Sequence, residues 1–159
     1  MPTDGPFSIT QLMLGFPFVL SQAAKWVGYR VYQEDGEIRA SYAQLWSLDG
    51  TTLLGQGMPP ARSVNKVQAG SGWHSYYIRP QVLLEPSVEY AFQVAMDGGN
   101  TRTTFNGMAT SITNGIITAL GQDVGLGGVF IDGQLTVQTG ATANSNNLYG
   151  VDVILWPVT

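Results

Sequence analysis

Cysteine is absent from the 159 residues, histidine occurs once, and charged side chains are scarce. Without cysteine there are no disulfide staples, no thiol nucleophile and no thiolate metal ligand, so the hydrophobic core must hold the fold alone. That suits a chain folded in a reducing cytosol. A serine triad would have to use His74 as its base, and no Gly-x-Ser-x-Gly elbow occurs. His74 instead sits in an apolar-aromatic run and is expected to be an ordinary strand residue. A lone histidine also leaves a metal only oxygen ligands.

Charged residues make up 11% of the chain, under half of the roughly 25% usual in globular domains. The surface must therefore be built from Ser, Thr, Asn, Gln and Gly, as in extracellular β-modules, adhesins and virion proteins. The seven basic residues, Lys25, Arg30, Arg39, Arg62, Lys66, Arg79 and Arg102, are scattered, and the net charge is −4. Such a surface repels phosphate backbones, so no nucleic-acid partner is expected. No apolar run approaches the roughly 18 residues of a membrane span. Met1-Pro2-Thr3-Asp4-Gly5-Pro6 lacks the basic and apolar regions of a signal peptide, so membrane insertion is not expected, and either the native start is trimmed from this sequence or the chain is not exported as a monomer.

What is present is period two. Leu12, Leu14, Phe16, Phe18 and Leu20 share one parity and predict a strand. Pro17 within it predicts an edge strand or a bulge. Further strands are predicted at Trp26–Tyr32, Ala40–Trp46, Trp73–Arg79, Val82–Leu84, Tyr90–Val94 and Tyr149–Trp156. Asp49-Gly50, Asn114-Gly115 and Asp132-Gly133 predict tight hairpins, with the last two as two-residue type I′ turns. No segment has a capped 3.6-residue pattern, no repeat recurs and no linker divides the chain. The expectation is an all-β, antiparallel β-sandwich or barrel in one domain over 1–159. Residues 1–10 would form an N-terminal arm, and 106–147 a Gly/Thr/Asn-rich hairpin segment that packs on a neighbouring subunit or presents a binding edge.

Several pieces occur in a familiar order: Leu14-Gly15-Phe16-Pro17-Phe18, Val27-Gly28-Tyr29-Arg30-Val31-Tyr32, Leu45-Trp46, Gly50-Thr51-Thr52-Leu53-Leu54, Gly72-Trp73, Pro80-Gln81-Val82, Val88-Glu89-Tyr90 and Tyr149-Gly150-Val151-Asp152-Val153. Over roughly residues 12–156 the chain resembles the DUF4082-type β-sandwich modules of bacterial extracellular multidomain proteins and phage structural proteins. The resemblance implies a jelly-roll or immunoglobulin-like sandwich. It carries over no functional residue, because the family has no established chemistry.

The candidate chemistry is sparse. Asp35, Asp49, Asp97 and Asp132 each precede glycine, so turn geometry accounts for them better than paired-carboxylate hydrolysis. No enzyme activity is expected. No cofactor is expected either, apart from a structural calcium, for which Asp97 and Asn100 are weak oxygen-ligand candidates. Aromatics are the richer signal. Tyr76 and Tyr77 must point to opposite faces of a strand. Trp46 and Trp73 are expected in the core, but Trp73 shares a parity with Ser75, Tyr77 and Arg79, a polar face. Tyr32, Tyr77 and Trp73 are the candidate ligand-binding platform, able to stack on sugar rings.

Two functions follow as expectations. One is a non-enzymatic virion structural protein of a bacteriophage, a capsid decoration or minor tail protein contacting other virion proteins and itself as a homo-oligomer. The other is a carbohydrate-binding adhesion module, secreted or on a cell surface, whose binding to a bacterial glycan is weak and insensitive to salt.

Overall fold

The computed structural model describes residues 6–9, 12–33, 40–57, 72–96, 99–104, 107–124, 129–132 and 148–159. The strands are β1 (Pro6–Ile9), β2 (Leu12–Leu20), β3 (Ala24–Gln33), β4 (Ala40–Ser47), β5 (Leu53–Gly57), β6 (Gly72–Leu84), β7 (Glu89–Met96), β8 (Gly99–Thr104), β9 (Ile112–Asn114), β10 (Ile117–Ala119), β11 (Val129–Asp132), β12 (Leu148–Tyr149) and β13 (Val151–Pro157). One 3-10 turn, Gln122–Val124, is the helical element among the described residues.

The strands form an antiparallel β-sandwich. Sheet I has the order β5-β4-β7-β2-β10-β9, with β11 also pairing with β2, and sheet II has the order β13-β3-β6. A small ribbon, β1-β8-β12, extends from them. The register of β2 on β7 (Leu12 opposite Met96) continues without a slip into that of β1 on β8 (Ile9 opposite Gly99). The pairs of β1 with β8 are thus in the same register as those of β2 with β7. The last strand turns a corner at Gly150: Leu148 and Tyr149 pair with β8, whereas Val151 onward pairs with β3 of sheet II.

The alternation of β2 becomes the core. Leu14, Phe16, Phe18 and Leu20 point inward beside Tyr90, Phe92 and Val94 of β7 and Ala43 and Leu45 of β4. Sheet II contributes Ala24, Trp26, Tyr29, Val31, Ile78, Leu84, Val151 and Val153. The rings interlock edge to face: Phe16 and Phe92 lie 5.7 Å apart at 62°, Trp26 and Phe92 6.1 Å apart at 72°. Such pairs add about 0.5–1.5 kcal/mol each beyond the area they bury. Room for the two largest rings comes from β5. A Cβ on Gly55 would lie 2.6 Å from Val82 Cγ2 and 3.1 Å from Trp26 Cζ3, and one on Gly57 would press on Ile78 and reach Tyr29.

Pro17 departs from the sequence expectation. It lies inside sheet I, opposite Ala91 of β7, in an unbroken register. Its carbonyl accepts the Leu120 N–H at 2.8 Å on the opposite side of β2. In an extended strand a residue's N and C=O face the same side, so the missing N–H also faces that side. There β11 covers residues 12–15 and β10 covers 18–20, leaving a junction at Pro17 where no ladder donor is required.

The turns follow local chemistry. The Asp49 carboxylate accepts bonds from the Ser47 hydroxyl (2.5 Å), the Thr51 N–H (3.0 Å) and the Thr51 hydroxyl (2.9 Å), which hold its pKa below the ordinary value. Gly50 beside it takes φ +72°. The second hairpin sits one residue later than expected: Asn114 pairs with Ile117, so Gly115 and Ile116 are the central residues. Gly115 has φ +61° and Ile116 does not have positive φ, which fits a type II′ turn rather than I′. Asp132 ends β11, and the hairpin expected after it lies outside the described residues, as do Glu34-Asp35-Gly36 and, within 106–147, residues 106, 125–128 and 133–147.

One core group is out of place chemically. The Tyr29 hydroxyl is buried with no hydrogen-bond partner, its ring stacked on Tyr76 at 5.1 Å. Burial, with the adjacent Tyr76, pushes its pKa well above the ordinary tyrosine value. An unbonded buried hydroxyl costs roughly 1–3 kcal/mol. Tyr29→Phe is therefore expected to stabilise the fold by about 1 kcal/mol, some 3 °C in melting temperature for a domain of this size. The pH dependence has a definite sign. The unfolded tyrosine ionises near pH 10 while the folded one stays protonated, so Tyr29 contributes no loss below pH 10 and destabilises as pH rises above it. Thermal melts from pH 8 to about pH 11 should fall less steeply for Tyr29→Phe than for the parent. A variant less stable than the parent at neutral pH would mean that the hydroxyl is bonded.

Candidate binding face

The outer face of sheet II is laid out by its register. Bulges shift β3 between Trp26 and Gly28 and β6 between Tyr77 and Val82. Ala24, Trp26, Tyr29 and Val31 therefore point inward, and Lys25, Gly28, Arg30 and Tyr32 lie on the outer side. On β6 the outward residues are Trp73, Ser75, Tyr77 and Leu83, and on β13 they are Asp152, Ile154 and Trp156. The pairings arrange them in rows across the strands: Tyr32 with Trp73, Asp152-Arg30-Ser75, Ile154-Gly28-Tyr77, and Trp156-Lys25-Leu83. Residues in one row have Cβ atoms about 4.5–5.5 Å apart.

At one end of this face the side chains are locked together. Tyr32 meets Trp73 edge to face at 5.6 Å and 80°. The Arg30 guanidinium lies 5.2 Å over the Trp73 ring and pairs with the Asp152 carboxylate, the one ion pair among the described residues. Tyr32 keeps 9% of its surface, so its ring is buried and unavailable for stacking. At the other end the apolar side chains are open: Tyr77 is 65% exposed, Leu83 55% and Trp156 54%.

The expected platform of Tyr32, Tyr77 and Trp73 is thus split. All three lie on the outer face of sheet II, but Tyr77 alone is largely exposed. Trp73 is half-buried under Arg30. The expectation that Trp46 and Trp73 fill the core is corrected: both lie outside the core cluster, and Trp26 fills that place. Trp46 instead donates its Nε1–H to Gln44 Oε1 at 3.3 Å, an oxygen that also accepts the Gln93 Nε2–H at 3.1 Å. As parity required, Tyr76 packs against the core and Tyr77 faces solvent.

Trp156, Ile154 and Leu83 were missed as face residues. Trp156 was legible: Val151 and Val153 alternate into the core, which puts 152, 154 and 156 outside. Leu83 was legible in the same way, since it shares the parity of Trp73, Ser75 and Tyr77, but Pro80 divides the run into two predicted strands.

The weak calcium candidates gain nothing. Asp97 lies outside the described residues, and Asn100 is a β8 residue opposite Ser8. Among the described residues no group of three or more His, Cys, Asp or Glu side chains could hold a metal ion. His74 is a β6 strand residue opposite Val31.

Fold and face together define a β-sandwich module with an open aromatic end on its smaller sheet. The sequence profile described as "Domain of unknown function (DUF4082)" matches residues 3–150, and the chain belongs to that family. No curated protein matches it.

Proposed function

We propose that the chain is a non-catalytic recognition module that binds a bacterial cell-surface glycan through the outer face of sheet II. The observation that carries this reading is the juxtaposition of exposed Tyr77 and Trp156 with polar side chains on one sheet face. A sugar ring offers an apolar face that stacks on an aromatic ring and a rim of hydroxyls that seek donors and acceptors. Ser75, Lys25 and the Arg30–Asp152 pair supply those groups within the same rows. A rigid sheet holds them with little ordering to be done on binding. No catalytic step is assigned to the chain.

The test is binding of labelled protein to purified envelope polysaccharide. Tyr77→Ala and Trp156→Ala should each weaken binding about tenfold, from a loss of about 1–1.5 kcal/mol of stacking. Both side chains are more than half exposed, so the melting temperature should stay within about 2 °C of the parent. Unchanged binding in both variants would reject this face.

A second reading rests on a different observation. Leu53 and Leu54 on β5 and Ile112 on β9, the two edge strands of sheet I, are exposed large apolar residues outside the rows of the glycan face. They suit protein contacts, as in a bacteriophage capsid decoration or minor tail protein that meets other virion proteins or copies of itself. The two readings are compatible if the chain displays the glycan face from a particle. Mass spectrometry of purified particles tests the second; the chain's absence from them, with a monomer in solution, would remove it.

A further inference from the structure

We propose that the glycan taken by this face is anionic, a polysaccharide bearing carboxylate groups, and that Lys25 and Arg79 hold its charge. The inference rests on the glycan reading above and deepens it. Lys25 stands directly between Trp156 and Leu83, in the open apolar row. It makes no ion pair, hydrogen bond or ring contact. Arg79, exposed on β6 two residues beyond Tyr77, is equally uncommitted.

Among the described residues no acid pairs with either cation. Asp152, the acid within the rows, is spent on Arg30. Glu85 lies beyond Leu83 at the end of β6 and is within ion-pair distance of neither cation. Among the described residues, a chain of net charge −4 thus has Lys25 unpaired in the row of Trp156 and exposed Arg79 unpaired two residues along β6 from Tyr77. A neutral sugar would use the rings and a hydroxyl contact from Lys25, but would leave both positive charges uncompensated. A sugar acid uses both, its ring on Trp156 or Tyr77 and its carboxylate on the ammonium or guanidinium. Nucleic acid is a poorer fit, because two cations neutralise too few phosphates against the overall negative charge.

This revises the expectation of salt-insensitive binding. Stacking should persist in salt, while the charged contribution is screened as the Debye length falls from about 20 Å to a few ångströms. The experiment compares polygalacturonate with its fully methyl-esterified, uncharged form by titration at low and high salt, using the parent, Lys25→Gln, Arg79→Gln and Tyr77→Ala. The acid form is expected to bind about fivefold tighter than the ester at low salt, and about equally at high salt. Lys25→Gln, or the double variant with Arg79→Gln, should erase that preference, so that acid and ester bind about equally at low salt. Equal binding of acid and ester by the parent, or a preference that survives the double variant, would overturn the inference. If the ester then still binds and is lost in Tyr77→Ala, the glycan reading stands without it. If neither polymer binds the parent, both fall.

Discussion

Replacing Gly15 by alanine is expected to destabilise the fold by about 3 kcal/mol or more. Gly15 sits in the middle of β2, opposite Gln93 of β7 on one side and Val129 of β11 on the other. A Cβ there would collide with the Phe92 carbonyl oxygen and lie 2.7 Å from Gln93 Cα and 2.9 Å from Phe92 C. All three atoms are main chain. A flexible side chain could swing aside, but a central strand cannot move without parting the β2–β7 ladder, and that ladder carries Leu14, Phe16, Phe92 and Val94 into the core. Overpacking in a core usually costs about 1–3 kcal/mol. Here the obstacle is backbone in a sheet centre, so the cost should reach or exceed about 3 kcal/mol, a large share of the roughly 5–15 kcal/mol that holds a domain together. Circular dichroism and thermal melting of Gly15→Ala against a surface control such as Ser75→Ala would show it. A melting temperature within about 3 °C of the parent would mean that the strands can separate cheaply at this point.

The same physics explains which parts of the fold were legible. Leu12–Leu20 read correctly as a strand because the large apolar residues at alternate positions, Leu14, Phe16, Phe18 and Leu20, all enter the core. Asp49-Gly50 read correctly because the carboxylate's bonds and the positive φ of Gly50 are local. Errors arose where a residue's environment is set by distant chain. Pro17 looks like an edge signal until β10 and β11 are seen to divide the far side of β2 between them. Trp46 and Trp73 look like core plugs because large aromatics usually are, but Trp26 and Tyr29 take the space that Gly55 and Gly57 open on β5. That choice depends on which strand faces β5, a fact no local pattern carries.

The candidate face shows the same division. Tyr77 was identifiable from the opposed parity of Tyr76 and Tyr77, and only its neighbour's fate was needed to orient it. The pairing of Trp156 with Lys25 across β3 depends on a bulge that drops Val27 out of register. A one-residue change in register exchanges the faces of a strand, so the open end of the platform emerges only once the bulge is located. Tyr32 failed as a platform residue for a related reason. Its side chain is on the right face but is consumed by Trp73, which Arg30 in turn covers.

Trp26→Ala is expected to cost about 4 kcal/mol, within the range of about 3–5 kcal/mol for truncating a buried aromatic. Trp26 is fully buried, packs edge-on against Phe92 and closes the side of the sandwich against Gly55. Its indole N–H has no hydrogen-bond partner, so the loss is one of packing with no bond to subtract. The contact with β5 makes a sharper test than the single variant. Gly55→Ala alone should destabilise by about 1–3 kcal/mol, because its Cβ must push Val82 and the indole edge aside. In the Trp26→Ala background the same methyl enters vacated space, and its cost should fall by about 1 kcal/mol or more. Denaturant unfolding of the two single variants and the double variant gives that coupling directly. Additive costs would show that Val82, not Trp26, sets the limit at Gly55, and that the glycine accommodates β6 instead of the tryptophan.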